Sequence, residues 1–284
     1  MQSFWMLAGA LAFSLCAACI KLGAADFSGY EIVFYRSAVT LVLVAALMRH
    51  RAISFGTRHA FGHFMRSFTG YVSMTLWTFS IPLLALGTSQ TLNASSPLFI
   101  AAAAIAASLF TRRPVAWRHV AAIVLGFAGI CAMLRPDFTQ GEALGVVLGL
   151  SSAACGAAAF WSIRQLACAG EPSERIVFYL SVWCLVFSGG CALADGGFSP
   201  VSLRGAFTLA GVGVFAAAGQ FFTTLAYGKG NFLLTSVLSY SAIVISWLIG
   251  MAVFDDAFAW ASLAGMLLVI AAGVVSAAGA KKDS

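Results

Sequence analysis

Long apolar segments alternate with short polar ones along almost the whole chain. Two clear examples, Val120–Met133 and Leu263–Val275, show no alternation of apolar and polar residues. A membrane-spanning helix needs about 20 mostly apolar residues, whereas a barrel strand of about 10 residues alternates apolar and polar positions. Because a spanning segment must also satisfy its own backbone hydrogen bonds, the pattern predicts a bundle of transmembrane helices.

The alternation of long apolar segments with short polar ones predicts an all-α integral membrane protein with ten transmembrane helices. The loops between them are too short to hold a soluble domain. An even number of spans leaves both ends of the chain on the same side of the membrane. The predicted spans are 3–22, 31–48, 62–83, 88–110, 117–134, 143–167, 174–194, 204–227, 231–253 and 258–279.

The composition supports this fold class and excludes several others. Of the 284 residues, 61% are hydrophobic and only 9% are charged, against about 45–50% and about 25% in soluble globular domains. So few charges exclude a disordered chain, a nucleic-acid-binding module and a soluble enzyme. A membrane-embedded hydrolase is also excluded, because the four histidines lie in or beside loops and no cluster of His, Asp and Glu falls inside a span. We therefore expect no enzyme activity, no cofactor and no metal.

Basic residues are unevenly distributed between the two sets of loops. If the amino terminus is cytoplasmic, the inner side carries twelve of the 16 Lys and Arg residues, Arg66 among them. Cytoplasmic loops of membrane proteins are enriched in these residues. The net charge of +6 is thus interpreted as membrane topology, with both termini in the cytoplasm. The expected location is the bacterial inner membrane.

The two halves of the chain contain corresponding segments at a nearly constant offset. They pair residues 31–37 with 175–181, residues 85–92 with 226–233, and Trp117 with Trp260. With five spans in each repeat, the halves insert in opposite orientations, and such inverted repeats are typical of secondary transporters. The predicted organisation is a first five-helix repeat over 1–135, a loop over 136–141, and a second repeat with a short cytoplasmic tail over 142–284.

Several local motifs resemble those of a known transporter family. They are the tripeptide Tyr35-Arg36-Ser37, the pattern Ala-Leu-Gly-x-x-x-x-Leu-x-x-x-x-Pro over Ala85–Pro97, and the basic pair Arg112-Arg113. With ten short helices and a 5+5 repeat, the chain resembles the drug/metabolite transporter superfamily and its EamA branch. Within that branch it is similar to the YddG-type aromatic amino-acid exporters. The resemblance implies transport of small metabolites, although Leu180 replaces the repeat equivalent of Arg36.

Polar and aromatic residues inside the spans are candidates for a substrate cavity between the repeats, because polar groups in a membrane are costly and often functional. The alternatives are hydroxyls bonded within their own helix and aromatic rings that only pack in the core. The amides are the strongest candidates, since one helix cannot satisfy all their hydrogen bonds. The predicted cavity residues are Tyr71, Trp77, Thr78, Asn93, Trp161, Gln165, Gln220 and Tyr240.

Two basic residues near span ends, Lys21 and Arg36, are predicted to have gating or structural roles. The alternative is that their long side chains reach the membrane interface. Arg36 could also pair with Glu31, which lies slightly more than one helical turn away.

The predicted cavity combines aromatic surface with neutral hydrogen-bonding groups and has no fixed central charge. This favours small neutral substrates, amino acids and aromatic ones among them, exported by alternating access. The expected partners are this substrate and membrane lipid, with no nucleic acid; the oligomeric state is open, a monomer included. The alternatives are a non-transporting receptor-like or scaffold protein, or an exporter of drugs or nucleobase-like metabolites.

Overall fold

The computed structural model describes residues 2–110 and 140–279, together with 120, 121, 124–126, 128, 129 and 132. All regular structure in these residues is helical, so the all-α prediction is confirmed for them. Most of the predicted span 117–134 lies outside the described residues, as do Trp117 and the pair Arg112-Arg113.

Eleven helices with defined bounds occupy most of the described chain. Single turns of 3-10 helix lie at Gln2–Phe4 and Ile81–Leu83. The helices are α1 (Trp5–Gly23), α2 (Gly29–His50), α3 (Ala60–Ser80), α4 (Leu86–Asn93), α5 (Ser96–Phe110), α6 (Gln140–Cys168), α7 (Ser173–Ala194), α8 (Leu203–Lys229), α9 (Phe232–Ser239), α10 (Ser241–Val253) and α11 (Trp260–Gly279).

The length and hydropathy of these helices fit a multi-pass membrane protein. Five segments in the described part are long and apolar enough to cross a membrane: Gln2–Gly23, Gly29–His50, Gly141–Cys168, Ser173–Ala194 and Leu203–Lys229. Two shorter apolar helices, Ser241–Val253 and Trp260–Ala272, accompany them. The total of ten spans stays a prediction.

Two segments predicted as single spans are each divided into two helices. The span 88–110 breaks between α4 and α5, where Pro97 has no amide hydrogen to donate to the preceding turn. The span 231–253 breaks at Tyr240. Serine hydroxyls bond to backbone carbonyls at both breaks: Ser95 Oγ donates to Leu92 O at 2.6 Å, and Ser241 Oγ to Leu238 O at 2.7 Å. These bonds partly replace the missing helical ones.

Helices of the first half pack mainly against helices of the second half. The most extensive contacts join α1 with α8, α3 with α6, and α2 with α7 and α8. Exchanging the two halves would convert the first pair into the second, as an inverted repeat requires; the repeat itself stays a prediction. Close approach of α2 and α8 depends on Gly213, where a Cβ would come within 2.5 Å of Val39 Cβ.

The topology predicts that the loop before α3 and the loop before α11 lie on opposite sides of the membrane. Gly56 and Ala257, one in each loop, are exposed and suit cysteine substitution. With Cys168 changed to Ser, we expect a membrane-impermeant maleimide to label Ala257→Cys in intact cells and Gly56→Cys only after permeabilisation. Labelling of both sites from the same side would contradict the predicted orientation.

Candidate functional site

A cavity of about 110 Å³ lies at the centre of the bundle, between helices of both halves. The first half contributes α1, α2, α3, α4 and α5 to its walls, and the second half contributes α6, α8, α9 and α10. Because both halves line the same space, a relative movement of the halves would change access to it.

One face of α3 forms a continuous wall of the cavity. Arg66, Gly70, Ser73 and Trp77 all line it, and their spacing of i, i+4, i+7 and i+11 places them on one side of a helix. Trp77 is 4% exposed and packs edge to face on Phe13 of α1, with ring centroids 6.2 Å apart. This wall therefore runs from a charged end at Arg66 to an aromatic end at Trp77.

Two buried arginines line the cavity, from different helices. Arg36 of α2 is 2% exposed and Arg66 of α3 is 3% exposed. Nη1 of Arg36, and Nε and Nη1 of Arg66, are buried without a hydrogen-bond partner in the described part of the protein. Gly70 leaves room for the Arg66 guanidinium, because a Cβ there would overlap with Arg66 Nη1. The expectation of a cavity without fixed charge is therefore wrong.

Glu31 does not balance the charge of Arg36. Its carboxylate instead accepts hydrogen bonds from the backbone amides of Ser28 and Ser199. The bond to Ser28 belongs to a capping box that starts α2. The cavity lining contains no Asp or Glu, so the described residues around it bring positive charge alone.

Amide side chains add neutral hydrogen-bonding groups to the cavity. Asn93 Oδ1 accepts a hydrogen bond from Ser152 Oγ at 3.0 Å. Gln220 Nε2 lies 3.9 Å from the sulfur of Met74, which is a weak acceptor. Oε1 of Gln90 is buried without a partner among the residues that the structure describes. Gln90 and Gln220 thus retain hydrogen-bonding capacity that a bound molecule could use.

The structure brings together four of the residues singled out from the sequence. Trp77, Asn93 and Gln220 line the cavity, and Arg36 lines it with them. They come from four different helices, α2, α3, α4 and α8.

The other five predicted cavity residues do not line it. Trp161 is 58% exposed and Gln165 is also exposed, although both belong to α6. Tyr71 donates a hydrogen bond to Cys191 Sγ at 3.3 Å, toward α7. Thr78 and Tyr240 are buried elsewhere in the bundle. For Tyr71 and Thr78 the physical reason is helical geometry, because a shift of one residue turns a side chain by about 100°.

Sequence reasoning missed Arg66, Gln90 and several aromatic and hydroxyl groups of the lining. In the sequence, Arg66 lies near the beginning of its span and therefore belongs with the inner-side charges. Its position on one face with Gly70 and Trp77 was the available signal. Phe160 and Tyr227, whose rings stack with centroids 4.6 Å apart, come from α6 and α8 and become neighbours only in the folded bundle.

Lys21 lies at one end of the bundle, outside the cavity lining. Its ammonium is 3.0 Å from Asp256 Oδ1 and 4.7 Å from the centroid of the Phe254 ring. Asp256 Oδ2 also accepts a hydrogen bond from the Leu86 amide at 2.8 Å. That amide belongs to the first turn of α4, where a negative charge is favourable. Asp256 therefore connects α1, α4 and the segment before α11.

Glu171 makes a comparable connection at the other end. It accepts hydrogen bonds from Thr57 Oγ1 at 2.6 Å and from Arg175 Nη1 at 2.8 Å, and it lies 3.4 Å from Nε2 of the buried His63. Burial alone would raise the pKa of the Glu171 carboxyl, but the bonds from Thr57 and Arg175 outweigh it and hold the pKa below its usual value. Within the described part of the chain, no group of three His, Cys, Asp or Glu could hold a metal ion.

Comparison with known proteins identifies the first half of the chain. Residues 1–135 match the model of the EamA-like transporter family. This half of the chain is EamA-like. The resemblance to the EamA branch of the drug/metabolite transporter superfamily, predicted from the sequence, is confirmed. The comparisons also support a small-molecule transporter rather than an enzyme.

Similar proteins cover most of the chain. The pseudopaline exporter CntI of Pseudomonas aeruginosa is 27% identical over 268 residues, which cover 91% of this chain and 90% of that protein. The S-adenosylmethionine uptake transporter of Rickettsia felis is 26% identical over 251 residues, 86% of this chain and 81% of its own. A solved crystal structure with a TM-score of 0.67 and 17% identity covers 99% of both chains and shares the fold.

The contacts of Glu171 predict an acid-sensitive contribution to stability. A carboxylate whose pKa is lowered by folding stabilises the protein above its ordinary pKa of about 4.3, and this contribution is lost as the pH falls through the lower folded value. We expect Glu171→Gln to lower the unfolding free energy at neutral pH by about 1–3 kcal/mol. The difference from the unmodified protein should shrink in acid.

Thermal unfolding of the detergent-purified protein, followed over a pH series, measures this effect. Asp195→Asn is the matched control, because it removes an exposed carboxylate at the end of α7. Equal effects of Glu171→Gln and Asp195→Asn at every pH would contradict the role assigned to Glu171.

Proposed function

We propose that this chain is a secondary transporter of the bacterial inner membrane that exports small carboxylate-bearing metabolites, amino acids and aromatic ones among them. The observation that carries the proposal is the central cavity, which has walls from both halves of the chain and contains arginine, amide and aromatic groups. Secondary transporters typically bind their substrates between two repeats, near the middle of the membrane.

Contacts at the two ends of the bundle support alternating access. At one end, Lys21 of the first half pairs with Asp256 of the second half. At the other end, Thr57 of the first half donates to Glu171 of the second half. Both contacts cross between the halves, so opening either end requires separating one of them. Alternate breaking of the two contacts would expose the cavity first to one side and then to the other.

The chemistry of the cavity favours a carboxylate. A guanidinium presents paired donors that match the two oxygens of a carboxylate. The rings of Trp77 and Phe13 offer apolar surface to the remainder of the substrate. Gln220 is suited to hold a second polar group, such as an amine or amide, because among the described hydrogen bonds its side chain makes only the weak one to Met74.

The names of the similar proteins agree with a metabolite substrate, but the two proteins transport their substrates in opposite directions. One is an exporter and another is an uptake transporter. Export is therefore the part of the proposal that most needs a direct measurement.

Counterflow in proteoliposomes, screened over amino acids and related carboxylates, identifies the substrates. Accumulation of a substrate in inside-out vesicles then gives the direction of transport.

Replacing the amide of Gln220 tests the cavity directly. We expect Gln220→Ala to reduce counterflow at least fivefold, because it removes a hydrogen-bonding group from the cavity wall. Gln165→Ala is the matched variant, since it removes the same group from an exposed position outside the cavity, and it should leave counterflow unchanged.

Protein level and the thermal unfolding temperature serve as controls for folding in both variants. If Gln220→Ala transports normally and Gln165→Ala does not, the substrate path lies elsewhere. If no compound in the screen exchanges, the transporter proposal itself fails.

A further inference from the structure

The charge balance of the cavity is unusual for a site inside a membrane protein. Arg36 and Arg66 are both nearly inaccessible and both border the cavity, and none of the described residues that line it is acidic.

Two buried charges of the same sign need compensation. Arginine does not lose its proton in proteins, and an uncompensated buried charge is strongly unfavourable. The basic residues at the ends of the bundle are compensated by ion pairs, Lys21 with Asp256 and Arg175 with Glu171. For Arg36 and Arg66, three nitrogen atoms are buried without a partner in the described residues. No acidic side chain among the described lining residues supplies this negative charge, so a molecule that enters the cavity is a candidate source of it.

The geometry points to a specific substrate class: we propose that the cavity binds an organic anion with two carboxylates, one held by Arg36 and the other by Arg66. The proposal rests on the proposed transport function and narrows its substrate. The two arginines come from different helices, α2 and α3, so each addresses the substrate from its own wall. Trp77 and Phe13 line the same cavity and provide apolar surface for the body of the molecule.

A neutral amino acid would satisfy this site less well. Its single carboxylate balances one guanidinium, and its ammonium adds a positive charge to a region that already has two. A dicarboxylate balances both arginines and leaves no buried charge uncompensated. The protein should therefore discriminate between substrates by the presence of a second carboxylate more than by the size of their apolar part.

Matched substrate pairs test this proposal in counterflow with purified protein in liposomes. Glutarate is compared with its monoamide, and phenylsuccinate with its monoamide, because each pair differs only in one carboxylate and neither pair carries an ammonium. Inorganic sulfate and phosphate are included to distinguish a carboxylate site from a general anion site. We expect the dicarboxylates to exchange at least tenfold faster than their amides and faster than either inorganic anion.

Charge-removing variants show whether the two arginines are responsible. We expect Arg36→Gln and Arg66→Gln each to reduce the rate of dicarboxylate exchange at least tenfold. Each should also lower the ratio of the dicarboxylate rate to the rate of the corresponding monoamide. Arg49→Gln removes the same charge from an exposed position at the end of α2, and it should change neither quantity. Thermal stabilisation of detergent-purified protein by phenylsuccinate gives a second readout, which does not depend on transport and should be lost in both cavity variants.

The outcomes separate this inference from the proposed function. Faster exchange of the amides than of the dicarboxylates would overturn the inference and leave the transporter proposal standing. Equal exchange of inorganic and organic anions would overturn it in the same way. If nothing exchanges, the transporter proposal fails, and the inference is judged on stabilisation alone. Stabilisation by phenylsuccinate that Arg36→Gln or Arg66→Gln abolishes would support it, and absence of stabilisation would overturn it.

Discussion

Packing between the two halves of the chain determines where the polar sites of this protein lie. Within lipid there is little hydrophobic force between helices, so close approach depends on contacts between small residues. At Gly9 of α1, a Cβ would come within 3.0 Å of Thr223 Oγ1, and at Gly156 of α6 one would come within 3.2 Å of Ser73 Oγ. These two glycines bring α1 against α8 and α6 against α3. The cavity is the space that these pairs leave between them.

The same packing explains how polar groups are distributed. Hydroxyl groups between α3 and α6 bond across the interface, as in the contact from Ser73 Oγ to Ser152 O at 2.9 Å. The charged pairs Lys21–Asp256 and Arg175–Glu171 lie at opposite ends of the bundle; the first joins the two halves of the chain, and the second is a local i, i+4 pair. Arg36 and Arg66 differ from them, because each faces a cavity with no acidic side chain among its described lining residues. Charge that is balanced at the ends and unbalanced at the centre suits a bundle that opens and closes around a charged substrate.

The breaks in two long apolar segments contribute to the site as well. α4 ends at Asn93 and α5 begins at Ser96, and both residues line the cavity. A helix end leaves backbone groups without helical partners, and inside a membrane such groups are tolerated where protein or a polar cavity surrounds them. The break between α9 and α10 brings Ser239 and Ala242 to the same cavity from the second half. Interrupted helices at a central site are a known feature of secondary transporters.

The sequence by itself determined the all-helical membrane character of this protein, because hydropathy along the chain is a one-dimensional property that needs no knowledge of neighbours. It also determined the resemblance to EamA transporters, from short motifs that can be read locally. The sequence could not determine which side of each helix faces the cavity. The span that holds Trp161 carries almost no amphipathic signal, so the sequence gives no reason to place Trp161 outside the cavity, although it is exposed and Trp77 lines the cavity. Only the tertiary structure decided that Arg66 faces the centre, since its surroundings depend on α3 packing against helices more than 70 residues away in the chain.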